Sequence, residues 1–390
     1  MTHNTLDTKR FISLDLARGM MLLLVALAHA SLYAGSTLLT RPESMHSLDT
    51  FLNYVSVFIV DNRARPMFAF LFGYGLTLIV ASYLKRDRTK RDAKISLYRR
   101  ALYLIIFGFF LSVIIGGQDI LSIYGAALLC ITWLIFKKDK VLVRTITIMS
   151  ALFLIILPVM WGSMATFMQQ DKNVVQLTYS SYAENLSSQF LQFITGGPFL
   201  GNLALPIVIS ILLGIWAGRK KLLNEDPDHK PFLKKLAIIG IAISIFGAIP
   251  QALYSNELLE FSPLFSGLIF TLHLATGIIG GMSYAAIFAL IGPKLIQKQT
   301  LIQPITALGK RSLTFFIVNE ALLVMFLSSY TLNLGETMGL TVSWSIAFGI
   351  WMLALLNSSI LERKQLNGPL DELFRKLVHR KPRGEKQEMA

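Results

Sequence analysis

Asp15, Arg18 and His29 are the first residues of the chain whose types could do chemistry inside an apolar stretch. At about 100° per residue, Arg18 lies about 60° and His29 about 40° from Asp15 around a helix, so the three share a face with Leu22 and Ala26. Asp15 and Arg18 stand three positions apart and can neutralise each other. His29 follows Arg18 by about 16 Å of helix. A neutral imidazole there can take a proton from a hydroxyl or an amine. The plainer alternative is an ion pair and a histidine that only tie neighbouring helices together.

Glu320 interrupts another apolar run. A carboxyl at mid-membrane is protonated, paired or facing water, and His273, also within an apolar run, is one candidate partner. Lys310 and Arg311 can grip phosphate, although the same pair fits a cytoplasmic connection. Arg63 and Arg65, beside Asp61 and Pro66, read as external residues that bind phosphate or an acidic sugar, or snorkel to headgroups. Asp119 reads as a helix cap after Gly116–Gly117, and His46 as a loop histidine. The single cysteine, Cys130, excludes an internal disulfide and a cysteine metal cage. No Walker loop, zinc-protease helix or nucleophile elbow is present, and no metal is expected.

The elements that must position these groups are membrane-crossing helices. The 390 residues are 54% hydrophobic and 15% charged, with a mean hydropathy of +0.57. That composition excludes disordered, collagen-like and soluble nucleic-acid-binding chains. A helix needs about 20 apolar residues to cross a bilayer. Suitable runs cover 12–34, 66–84, 98–116, 118–136, 141–163, 198–218, 233–254, 264–292, 312–331 and 339–361. The predicted fold is an all-α polytopic integral membrane helix bundle of about ten crossings with both termini cytoplasmic.

Charge supports that count. Of the 37 Lys and Arg, 32 fall in the termini and alternate connections, whereas only Arg41, Arg63, Arg65 and Lys172 fall on the opposite side. Topology thus accounts for the net charge of +14, and no nucleic-acid partner is needed. Residues 1–361 form one predicted transmembrane domain with external segments at 35–65 and 164–197. Within the first of these, Asp49 to Val60 suits a helix lying in the interface. Residues 362–390 form a basic cytoplasmic tail that is expected to fray. Lys9, Arg10 and the run Ala28-His29-Ala30 imitate a cleaved leader, but Asp15 and Arg18 intrude, so the first helix is expected to be retained. No internal repeat is visible, nor a pair of interrupted helices in matching halves.

The run Ser13-Leu14-Asp15-Leu16-Ala17-Arg18-Gly19, with a polar residue 14 positions after the Asp, resembles the opening of the membrane acyltransferase superfamily. In its acyltransferase-three family, similar to bacterial O-acetylating enzymes, the later position is an essential histidine, which matches His29. In the YeiB-like family, a domain of unknown function, and in heparan-alpha-glucosaminide N-acetyltransferase it is asparagine. Phe68 to Gly75, Gln118 to Gly125 and Leu308 to Thr314 resemble YeiB-like motifs, and the likeness spans residues 12–330. The chain departs from that pattern in three places. A histidine before the second motif is missing, with Leu111 and Ser112 in that neighbourhood. Phe315-Phe316 stand for Asn-Tyr, and Asn319-Glu320 for Gln-Ser.

The resemblance implies a multi-pass acyltransferase of a bacterial plasma membrane. Acyl-CoA is the expected cytosolic donor, held at Asp15, Arg18, Lys310 and Arg311. His29 and Glu320 are the expected catalytic pair. An external carbohydrate, lipid or amine acceptor is expected near Arg63, Arg65 and His273, and the bilayer and a second copy of the chain, as a homodimer, are the other expected partners. The alternative is a transporter that uses the same buried polar residues as a substrate or proton path.

Overall fold

The computed structural model describes residues 5–35, 46–170, 179–224, 226–259, 261–295 and 299–379. Among them there is no strand. The helices are α1 (Thr5–Tyr33), α2 (Ser47–Val55), α3 (Ala64–Lys85), α4 (Lys90–Phe109), α5 (Leu121–Ile131), α6 (Asp139–Gln170), α7 (Tyr182–Ile194), α8 (Gly197–Ala204), α9 (Ile207–Arg219), α10 (Lys230–Ser255), α11 (Pro263–Leu295), α12 (Gln299–Lys310), α13 (Ser312–Leu327), α14 (Leu334–Arg363) and α15 (Pro369–Val378). The protein is an all-helical, multi-pass membrane protein. Seven helical segments are long and apolar enough to cross a bilayer, and α8 with α9, bent by 76°, makes an eighth.

Two of the expected crossings are short, at Leu121–Phe136 and Ser312–Leu327. Side-chain contacts nevertheless show that both run the length of the bundle. At one end, Arg219 donates to the carbonyls of Leu134 and Ile135 and to Asp139, Tyr83 meets His379, and Thr314 bonds Asp371. At the other, Tyr182 donates to the carbonyl of Ile114, Asn185 to Tyr330, and Ser329 exchanges bonds with Tyr179. The segment carrying α5 therefore starts at the second end and finishes at the first, and α13 makes the reverse passage. Basic connections meet at the first end, as alternate placement of Lys and Arg requires.

Small residues let neighbouring helices approach closely. A Cβ on Gly73 of α3 would overlap the carbonyl of Ile211 in α9, and one on Gly214 would overlap that of Phe70. Such contacts replace the hydrophobic drive that lipid removes. The apolar side chains left exposed, among them Ile155 and Val159 on α6 and Ile238 and Phe246 on α10, form the lipid-facing surface.

Three expectations change. The connection 294–311 is not merely a loop, because α12 packs against α1 and α14 there. The tail does not fray from residue 362: α15 buries Phe374 and Val378, and Asp371 caps α13 by accepting from the backbone of Leu313 and Thr314. Third, α2 does not lie flat in the interface. Residues 47–85 form one apolar helical segment that starts at the outer end, where Asp49 accepts from Thr341 and Asn53 bonds Asn256, and then enters the bundle. The tail charges from Arg380 to Lys386, with Arg41 and Lys172, lie outside the described residues.

Candidate functional site

His29 from α1 and Glu320 from α13 meet inside the bundle. Nδ1 of His29 lies 2.5 Å from Oε1 of Glu320, whose side chain is 1% exposed. Phe316, one turn before Glu320, presents its edge to the imidazole at 6.4 Å. With Nδ1–H donated to the carboxylate, the lone pair rests on Nε2, the nitrogen left for a reactant. The second carboxylate oxygen of Glu320 and both amide atoms of Asn319 are buried without hydrogen-bond partners. The connection before α5 closes over this pair: a Cβ on Gly117 would lie 3.3 Å from Cβ of Glu320. Asp119 in the same connection caps α5, accepting from the backbone of Leu121 at 2.7 Å and Ser122 at 3.2 Å and from the Ser122 hydroxyl. His29, not His273, is therefore the partner of Glu320.

Toward the basic end of α1, Arg18 pairs with Asp15 at 3.5 Å, with its side chain 31% exposed. Lys310 and Arg311 share Glu362 at 2.7 Å each. Arg311 also donates to the carbonyls of Ala307 and Leu366, so it clasps α12, α14 and the start of α15. Lys310 remains half-exposed. Arg100, which sequence reasoning left among the loop charges, sits within electrostatic reach of Arg18, with its guanidinium 5.2 Å from the ring of Phe374. Its signal in the sequence is its place just inside an apolar run.

Arg63 and Arg65 lie further in than an external connection would place them. The helix is broken at Asp61, with extended backbone, and Asn62, with φ of 54°, and α3 begins inside the bundle. Arg63 is 1% exposed and donates to Ser244 Oγ, the Ser244 carbonyl, the Val57 carbonyl and the Asp61 carbonyl. Asn62 donates to the carbonyl of His273 at 2.7 Å, and a Cβ on Gly277 would overlap Asn62. Of the two arginines that seemed to break the charge rule on the outer side, Arg63 is thus enclosed in the bundle and Arg65 is partly enclosed, with its Nη1 buried. The physical reason is the broken helix, which a count of loop charges cannot distinguish from an external loop. Among the described residues, no group of three or more His, Cys, Asp or Glu gathers as a metal site.

Comparison with known proteins adds a family likeness. Residues 217–381 match a family described as "Protein of unknown function (DUF418)". The chain is 24% identical to "Uncharacterized protein YxaH" of Bacillus subtilis (strain 168), over 96% of each chain. It is 23% identical to "Uncharacterized 39.9 kDa protein in amylase 3'region" of Bacillus acidopullulyticus, over 95% of this chain and 94% of the relative. These likenesses support a family of unknown function of the YeiB-like kind.

Proposed function

We propose that the protein is a bacterial plasma-membrane acyltransferase that moves an acyl group from cytosolic acyl-CoA to an acceptor reached from the outer side. The observation that carries this reading is the enclosed His29–Glu320 pair. An acceptor hydroxyl or amine gives its proton to Nε2 of His29, and its oxygen or nitrogen bonds to the thioester carbonyl carbon. The carbon–sulfur bond breaks, and the departing thiolate takes the proton from His29. Glu320 holds the imidazole by Nδ1 and offsets the charge it gains, the role a buried acid plays beside a general base. Arg18 and Lys310 remain accessible for the donor's phosphates, whereas Arg311 is committed to its clasp, and Arg100 adds positive charge nearby. The motif resemblance supports the same chemistry.

Purified protein in nanodiscs, given radiolabelled acetyl-CoA and cell-envelope extract, tests this directly. Transfer of label with release of free CoA thiol is the expected result, and His29→Ala should remove most of it. His29→Asn separates a base from a positioning residue, since asparagine cannot accept the proton. A wild-type protein that neither binds CoA nor releases thiol would sink the reading.

A second reading, transport, is favoured by a separate observation: the break at Asp61–Asn62 and the bend between α8 and α9. Discontinuous helices near the bilayer centre are where secondary transporters place their substrates. Uptake of chemically unchanged solute into proteoliposomes would select it over acyl transfer.

A further inference from the structure

The start of α3 lies well inside the outer ends of the two helices that hold it. Its partner His273 stands ten residues into α11, about 15 Å below the outer end of that helix. Its other partner, Ser244, stands eleven residues before the end of α10, about 16 Å from the same side. Arg63 is enclosed among these helices, and Arg65 beside it is partly enclosed with its Nη1 buried.

Among the described residues their charge is only partly balanced. Asp61, Arg63, Arg65, His273, Tyr124 and Tyr284 are the titratable groups that act on one another here, and only Asp61 is an acid. Its carboxylate accepts from Ser56 at 2.9 Å. Arg63 spends its donors on a hydroxyl and three carbonyls. Arg65 keeps a buried Nη1 with no hydrogen-bond partner, and both ring nitrogens of His273, a fully buried residue, also have none. Two enclosed cations sharing one acid, next to an unsatisfied buried donor, make a costly arrangement for a protein to hold.

We propose that Arg65 and His273 bind a small monovalent anion, a chloride ion or a compact carboxylate, against the start of α3. The anion supplies the missing negative charge and accepts from Arg65 Nη1 and from the N–H of His273. The amino end of α3 adds its own attraction for negative charge. This site is separate from the His29–Glu320 pair and does not rest on the acyl-transfer reading.

The test uses the full chain, purified in detergent with gluconate as the only anion. Thermal unfolding is followed as sodium chloride or sodium acetate replaces sodium gluconate at constant ionic strength. A saturating rise in unfolding temperature is expected with one or both small anions. Acetate alone identifies a carboxylate site, and chloride as well identifies a general small-anion site. Arg65→Gln and His273→Gln should each weaken the apparent affinity at least about tenfold, the scale of one lost hydrogen bond to a charged group. If Arg65→Gln does not fold, His273→Gln decides alone. The absence of a saturating rise in wild type overturns the proposal, and so does an undiminished rise in either folded variant.

Discussion

His29 and His273 are both imidazoles enclosed by apolar helices, yet they stand in opposite electrical surroundings. His29 faces a carboxylate at 2.5 Å. His273 lies within electrostatic reach of two arginines, and among the described residues neither ring nitrogen has a hydrogen-bond partner. In a medium of low polarity, the neighbour's charge decides what an imidazole can do. Beside Glu320, a proton gained by the ring is compensated, so the ring can accept one from a reactant. Beside Arg63 and Arg65, which already outnumber Asp61, a third positive charge has no compensation, so the ring is suited to donate to an anion. Two imidazoles within one bundle therefore support two different chemistries, the fully buried His273 beside cations and the part-buried His29 beside an acid.

The comparison breaks most visibly at the acid. Glu320→Gln should lower acyl transfer by about 10²–10⁴-fold, the range of a lost general base. His29→Ala should do the same, and the double variant should lose little more than either single one, because the two act as a unit. Additive losses in thiol-release rates would mean that the pair does not work together.

Next in size is Arg63. Replacing it by Met strands buried carbonyls of Val57, Asp61 and Ser244, at a cost of about 3 kcal/mol in unfolding free energy. Arg65→Met, measured without small anions, removes an unbalanced charge and should cost clearly less. Equal losses in the two variants would show that both arginines are structural.

A third histidine sharpens the contrast at the wet end of the bundle. His379 bonds Tyr83 at 3.0 Å, and its pKa is held below the ordinary imidazole range, first by partial burial and then by Arg100, Arg88, Arg375 and Arg86. The docked state thus binds fewer protons than the undocked one. Its contribution to docking is complete above about pH 6.5, the unperturbed value. It is lost as pH falls below that. Hydrogen exchange of residues 369–379 should quicken modestly between neutral pH and pH 5, after correction for the intrinsic rate, and His379→Gln should remove that dependence.

The helical class and the polar face of α1 were legible because both are periodic properties of one segment. Asp15, Arg18 and His29 keep their relation in any straight helix. Glu320 was legible as an anomaly, a charge in an apolar run, and its pairing with His29 was named among the candidates. Depth was not legible at Arg63 and Arg65. Asp61 and Asn62 interrupt the helix there, and an interruption reads as a surface loop wherever it occurs. The helix α12 was hidden because Pro304 and neighbouring polar residues resemble a connection. The helix α15 was hidden because it is short and its four charged residues outnumber the two side chains it buries. In both cases the deciding contacts come from helices far away in sequence.

The broken segment at residues 47–85 also sets an order of assembly. Arg63 is synthesised 181 positions before Ser244, which takes two of its hydrogen bonds. At about 5–20 residues per second, that interval lasts roughly 10–40 s. Through it, a buried arginine at the start of α3 lacks the helix that satisfies it. The nascent α2–α3 segment must therefore wait in a hydrated or chaperoned setting until α10 and α11 emerge. A ribosome stalled just after α9 would hold a chain whose first half is inserted but not yet settled in the lipid.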